Sequence, residues 1–191
     1  MPILESARLL IRPFTMDDLE EAYNIFEGHP DVWRYDPGRP NTREERRDLL
    51  QYRIAEYKRH GFGCMALTLK NGGKLIGYCG LQLYLWQREP LSSPEIELFY
   101  KLGRDYWSHG YATEACVRML QHAWQDLHLP RIVTWALAKN SESVALMKRI
   151  GMQVEPAAGY PDEIIGVIEN SLSVEHRSEN KVDTNSANEY N

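Results

Sequence analysis

The sequence predicts a mixed α/β fold, a sheet flanked by helices, and three observations carry that reading. Apolar residues recur at strand spacing and at helical spacing in alternation from Arg8 to Gly151. Between residues 95 and 127 a strand passes through a tight turn of small residues straight into an amphipathic helix. The 191 residues are 43% hydrophobic and 26% charged, a globular balance in a chain long enough for one domain with a proper core.

Each element has its own local cause. Residues 8–14, Arg-Leu-Leu-Ile-Arg-Pro-Phe, read as the first strand. Thr15, with Asp18 three residues on, opens a helix by a capping-box-like pair, and Leu19, Ala22, Tyr23 and Phe26 form its apolar stripe. His29-Pro30 ends that helix, and a Pro/Gly-rich loop spans Asp36 to Asn41. Thr42 and Glu45 make a second capping box, ahead of a helix carrying Leu49, Leu50, Ile54 and Tyr57. Met65 to Leu69 alternates as a strand, Asn71-Gly-Gly73 signals a tight hairpin, and Leu75 to Tyr84 returns beside it. A polar, proline-bearing loop from Gln87 to Pro94 precedes the strand Glu95 to Leu102. Beyond Gly110, one face of a helix is lined by Ala112, Cys116, Met119, Leu120, Ala123 and Leu127. Pro130 forbids its continuation, and Ile132 to Leu137 is a β-branched and aromatic strand. Asn140 caps a last helix that carries Val144 and Met147 and is closed by Gly151. No internal repeat is present. Residues 177–191 are polar and nearly free of apolar groups, and are expected to be a disordered tail behind a single domain of residues 1–176.

Several classes of function fail on the sequence. A net charge of −5 argues against a nucleic-acid binder. No apolar run is long enough to span a membrane, and no basic-then-apolar signal opens the chain. The three cysteines (Cys64, Cys79, Cys116) lack metal spacing and read as reduced core thiols; with these facts a cytoplasmic protein is expected. The six histidines have no metal spacing either, so no metal is expected. No Lys-Ser/Thr follows the Gly110 turn, as a P-loop requires, and no Gly-x-Ser-x-Gly elbow exists.

What remains is the turn itself, Trp107-Ser-His-Gly-Tyr-Ala-Thr-Glu-Ala115. Gly110 and Ala112 leave the turn unshielded, so an anion can reach the first orphan amides of the helix that follows. About thirty residues on comes Asn140-Ser-Glu-Ser143, then Met147-Lys-Arg-Ile-Gly-Met152. Together these two segments resemble the core motifs of the GCN5-related N-acetyltransferase (GNAT) superfamily, and the RimJ/RimL type in particular, whose first strand residues 8–14 also resemble. The likeness runs from Arg8 to Met152 and fades after Gln153.

The resemblance implies an α/β (α+β) fold with a central, mostly antiparallel, splayed sheet flanked by helices. It implies acetyl-CoA as co-substrate. Tyr100, Lys101 and Leu102 would pair with the pantetheine arm through their backbone, and Trp107, Ser108, His109, Gly110, Tyr111, Ala112 and Thr113 would form the pyrophosphate turn. Trp107 departs from the Arg or Gln of the wider superfamily. His109 either adds charge beside a phosphate or is a solvent-exposed turn residue. Asn140 is a ligand for the pantetheine amide, a helix cap, or both. Ser143 either donates to the departing sulfur or serves the helix alone. Glu97 is the candidate base or relay, with Glu95, two residues back on the same strand face, in reserve. No covalent acyl-enzyme is expected.

The sequence therefore points to acetyl transfer directly onto a primary amine, a protein or peptide N-terminus by the RimJ/RimL resemblance. A small amine such as a polyamine or an antibiotic is the second acceptor class, and a non-catalytic acyl-CoA-binding regulator is the alternative outside catalysis. Expected partners are acetyl-CoA and the amine, with neither nucleic acid nor membrane, in a monomer or homodimer. Acceptor recognition is expected in Pro30 to Asn41, Leu85 to Pro94 and Ala157 to Asn170.

Overall fold

A computed structural model describes residues 2–36, 39–85, 91 and 94–170 of the chain. The expected tail at 177–191 and most of the loop Gln87 to Pro94 lie outside the described residues.

Eight strands form one sheet: β1 (Leu4–Glu5), β2 (Leu9–Pro13), β3 (Cys64–Leu69), β4 (Leu75–Tyr84), β5 (Glu95–Leu102), β6 (Arg131–Leu137), β7 (Gln153–Ala157) and β8 (Tyr160–Glu169). Four helices accompany it: α1 (Leu19–Glu27), α2 (Arg43–His60), α3 (Tyr111–Gln125) and α4 (Ser141–Arg149). The order across the sheet is β1-β2-β3-β4-β5-β6-β8-β7. Every neighbouring pair is antiparallel except β5 and β6, which are joined by α3 and run parallel.

The helices divide between the faces by their apolar stripes. Leu19, Ala22 and Phe26 of α1 and Leu50 of α2 pack with Ala66, Leu75 and Tyr78 on one face. Cys116, Met119 and Ala123 of α3, with Leu146 and Met147 of α4, pack with Cys79, Leu81, Leu98 and Ile132 on the other. Buried apolar surface on both faces is the main source of stability for such a layered sheet.

The sequence reading meets the structure closely at β4 and β5, and within one residue at β3, β6 and the start of α3. Three differences are informative. Thr15 and Asp18 open a 3-10 turn, Met16–Asp18, that runs on into α1, and the Asp18 carboxylate is shared with Arg12 at 2.7 and 2.8 Å. The edge strand β1 carries too few residues for a periodic signal. Ala157 to Asn170, expected as an acceptor segment, is chiefly β8, paired along its length with β6 and with β7 on its other side. Its apolar residues, such as fully buried Ile165, serve the sheet core.

Candidate active site

The parallel pair β5–β6 is joined at a single register position, Glu97 opposite Val133. Beyond it the two strands part, and on the β6 side the Tyr100 backbone faces a gap, whereas Lys101 is paired with Tyr78 of β4. A cleft of about 510 Å³ occupies this fork. Its walls include Tyr100, Lys101 and Leu102 from β5, Trp135, Ala136 and Leu137 from β6, and the start of α3. Unpaired strand edges in a parallel fork offer amide and carbonyl groups to any extended ligand that brings its own.

The mouth of the cleft is the turn before α3. Gly110 is its N-cap and sits in the left-handed region at φ +79, with Ser108 also at positive φ. That backbone favours glycine at 110. Because the cap is glycine, no side chain accepts from the first amides of α3, and these donors point their partial positive charge at the opening. Tyr111, Ala112 and Thr113 line the cleft there, and Arg149 of α4 closes over them, donating through Nη1 to Thr113 Oγ1 at 3.1 Å. Arg149 was not singled out from the sequence; its meeting with Thr113 depends on how α4 packs beside α3.

Every residue proposed for the cofactor lines the cleft except His109. The His109 ring stacks on Tyr111 at 5.7 Å, and its Nδ1 donates to the Trp107 carbonyl at 2.7 Å, so the ring buttresses the turn from outside. Trp107 Nε1 donates to the Leu102 carbonyl at 2.9 Å, which leaves Tyr100 as the open part of the β5 edge on the β6 side; the expected backbone role of Lys101 is not available, because its backbone is paired with β4. Asn140 caps α4 by accepting from the Ser143 amide at 3.2 Å. Its side-chain oxygen keeps a second lone pair and Nδ2 remains a donor, so capping and ligand contact are compatible.

Ser143 and Tyr100 meet across the fork, where the Tyr100 hydroxyl donates to Ser143 Oγ at 3.3 Å. Burial pushes the Tyr100 phenol up to about 12, so it stays a donor at neutral pH. The Ser143 proton is then free to point elsewhere in the cleft.

Glu97 stands at the apex. It is 5% exposed, accepts from Gln82 Nε2 at 2.6 Å and from the Trp135 indole, and is raised above the ordinary glutamate value because burial outweighs those bonds. The reserve candidate Glu95 does not line the cleft; it is buried against Arg131 at 3.3 Å. Gln82 and Trp135 are supporting residues no sequence pattern marks, since strand pairing alone brings them beside Glu97.

Asp31, Tyr35, Asp36 and Lys101 also line the cleft. Burial pushes the Lys101 ammonium down to about 8, with the Glu27 charge opposing it; Lys101 also pairs with the Asp36 carboxylate and lies 4.4 Å from the centre of the Trp33 ring. Asp31 is held by Arg34 and Arg104 at 3.1 and 3.2 Å. The three cysteines are buried and free, and none lines the cleft. Among the described residues no group of acidic, histidine or cysteine side chains could hold a metal, and no helix is long and apolar enough to cross a membrane.

A family model for the acetyltransferase (GNAT) domain matches residues 8–153. The chain belongs to the GNAT acetyltransferase family. Among curated relatives, the uncharacterized N-acetyltransferase p20 of Bacillus licheniformis is 26% identical over 157 residues, 81% of this chain and 84% of that one. An acetyltransferase structure from Agrobacterium tumefaciens superposes with a TM-score of 0.72 at 27% identity, covering 88% of this chain and 95% of that one. The ribosomal-protein-S5-alanine acetyltransferase of Vibrio fischeri has the same GNAT fold, with a TM-score of 0.72 at 18% identity over 90% of this chain and 98% of its own.

Proposed function

We propose that this GNAT protein transfers the acetyl group of acetyl-CoA directly to a primary amine, the N-terminus of a protein or peptide. The observation that carries the reading is the β5–β6 fork, with Glu97 at its apex and the glycine-capped start of α3 at its mouth. The residues suit that donor: an open strand edge for an amide-bearing arm, orphan helix amides for a pyrophosphate, and Arg149 beside them.

A bound acetyl-CoA supplies the activated acyl group. The chain's own residues then have three tasks. The β5 edge at Tyr100 and the Ser108–Thr113 turn hold the two ends of the donor. Glu97 takes the proton that the attacking nitrogen loses, directly or through one water, as the new C–N bond forms. The Ser143 hydroxyl, oriented by Tyr100, donates to the sulfur as the C–S bond breaks. With all three cysteines away from the cleft, the acetyl group passes to the amine without an enzyme-bound thioester.

Ser143→Ala is expected to slow turnover by about tenfold to a hundredfold, most with weakly nucleophilic acceptors, since one donor at a developing anion is worth a few kcal/mol. Tyr100→Phe keeps the Ser143 hydroxyl but removes its orienting partner, and should cost about threefold to tenfold. Steady-state rates from free-thiol release decide both; unchanged rates in folded Ser143→Ala reduce that serine to a helix residue.

The acceptor follows from proton chemistry. At pH 7 a lysine side chain of pKa near 10.4 is disfavoured by about 4–5 kcal/mol for the neutral form, an α-amine near 8 by only about 1. A single buried carboxylate suits the easier proton. Two acids of the cleft lining, Asp31 and Asp36, are already matched by Arg34, Arg104 and Lys101, which leaves little spare charge on them for a polyamine. Peptides carrying one lysine, with a free or blocked N-terminus, should be acetylated at the N-terminus only, by mass spectrometry. Undiminished lysine acetylation on the blocked peptide overturns the preference. Thiol release with polyamines but with no peptide establishes the small-amine reading, and acetyl-CoA binding without release on any amine establishes the non-catalytic one.

A further inference from the structure

Arg8 comes from the first turn before β2, 101 residues from the carbonyl it meets at the pyrophosphate turn. Its side chain is the most heavily engaged cation near that turn. Nη1 donates to the His109 carbonyl at 2.9 Å and Nε to Glu114 Oε2 at 2.7 Å, and its guanidinium carbon lies 4.5 Å from the centre of the Tyr111 ring. Nη2 reaches Gly110 so closely that a Cβ there would lie 3.4 Å from it. The Arg8 backbone amide and Ser6 Oγ both donate to the other Glu114 oxygen at 2.7 Å.

Glu114 lies in the first turn of α3, where a carboxylate favours the helix dipole but opposes an incoming phosphate. Burial alone would raise its pKa, yet the hydrogen bonds from Ser6 and Arg8 outweigh that and hold it below the ordinary value, so it is ionised. Something must therefore cancel its charge if the turn is to accept an anion.

We infer that Arg8 is a positioning residue for the phosphate end of the donor: it fixes the Trp107–Gly110 turn through the His109 carbonyl, neutralises Glu114, and leaves Nη2 charge beside Gly110. The inference rests on the acetyl-CoA reading, and it makes the segment before β2 part of donor selection. Its effect should fall on phosphate-bearing ligands and spare those that end at pantetheine.

Calorimetric titration of coenzyme A and of pantetheine, on wild-type protein and variants of the full chain, separates the possibilities. Arg8→Ala should weaken coenzyme A about tenfold to a hundredfold, as expected for a charge-assisted contact and an uncancelled carboxylate, with pantetheine affinity unchanged. Adding Glu114→Gln to Arg8→Ala should restore a good part of the loss, and the salt dependence of coenzyme A binding should be shallower in Arg8→Ala. Arg8→Lys, which keeps the charge without the fork, should fall between, and it serves if Arg8→Ala does not fold. Equal losses for coenzyme A and pantetheine, affinity within twofold of wild type, or no recovery with Glu114→Gln would each overturn the inference. Wild-type protein that binds no coenzyme A would overturn the donor reading itself.

Discussion

Ala112→Glu is expected to abolish coenzyme A binding while leaving the helix at least as stable as before. Ala112 is the second residue of α3 and lines the mouth of the cleft. A carboxylate in the first turn of a helix is favourable to the helix by about 0.3–1 kcal/mol. Placed about 4 Å from a phosphate, the same charge costs about 4 kcal/mol in a surface-like dielectric, well over a hundredfold in affinity. Gly110→Pro should give the same loss by another route, because proline cannot reach φ +79 and removes an amide from the turn. Calorimetry gives the affinity and thermal denaturation the stability. Near wild-type affinity in both variants would move the phosphate site away from this turn.

Glu97→Gln should lower turnover by about 10²–10⁴-fold with acetyl-CoA affinity little changed. The pH dependence distinguishes a base from a scaffold residue. Glu97 acts as its carboxylate, and burial holds its pKa above the ordinary 4.5. The wild-type rate should therefore fall as pH drops through a value above 4.5, and the Gln variant should lack that limb while keeping the limb set by the acceptor amine. Stability carries the opposite sign. A carboxyl with a raised folded pKa binds its proton more tightly when folded, so it costs stability as pH rises past the unfolded value and through the folded one, and costs nothing well below both. Glu97→Gln should accordingly keep or raise its melting temperature at pH 7 while losing activity. Rates within twofold of wild type across the pH range would make Glu97 structural.

The parts of the site that were legible in the sequence are those whose physics is local. A glycine at a helix N-cap and an asparagine whose carbonyl meets the amide three residues on are set by neighbours within a few residues. Glu97 could be named because β5 leads directly into the turn. Glu95 stands second to it in the sequence because it lies further from the turn on the same strand face, and the structure adds the partner: Arg131 for Glu95, Gln82 and Trp135 for Glu97. His109 was ambiguous until the packing of Tyr111 fixed its ring outside the cleft.

The sequence by itself determined the turn at 107–115, the cap at Asn140, the strands flanking the hairpin at Asn71, and membership of an acetyl-transferring family through the spacing of two motifs. Tertiary structure alone decided where β5 and β6 part, that β8 enters between β6 and β7, and that Arg8, Gln82, Trp135 and Arg149 gather around the fork. The reason is the range of the forces involved. Caps and turns are satisfied by hydrogen bonds between near neighbours, whereas these groups are brought together by burial of two apolar faces, which is non-directional and indifferent to sequence distance.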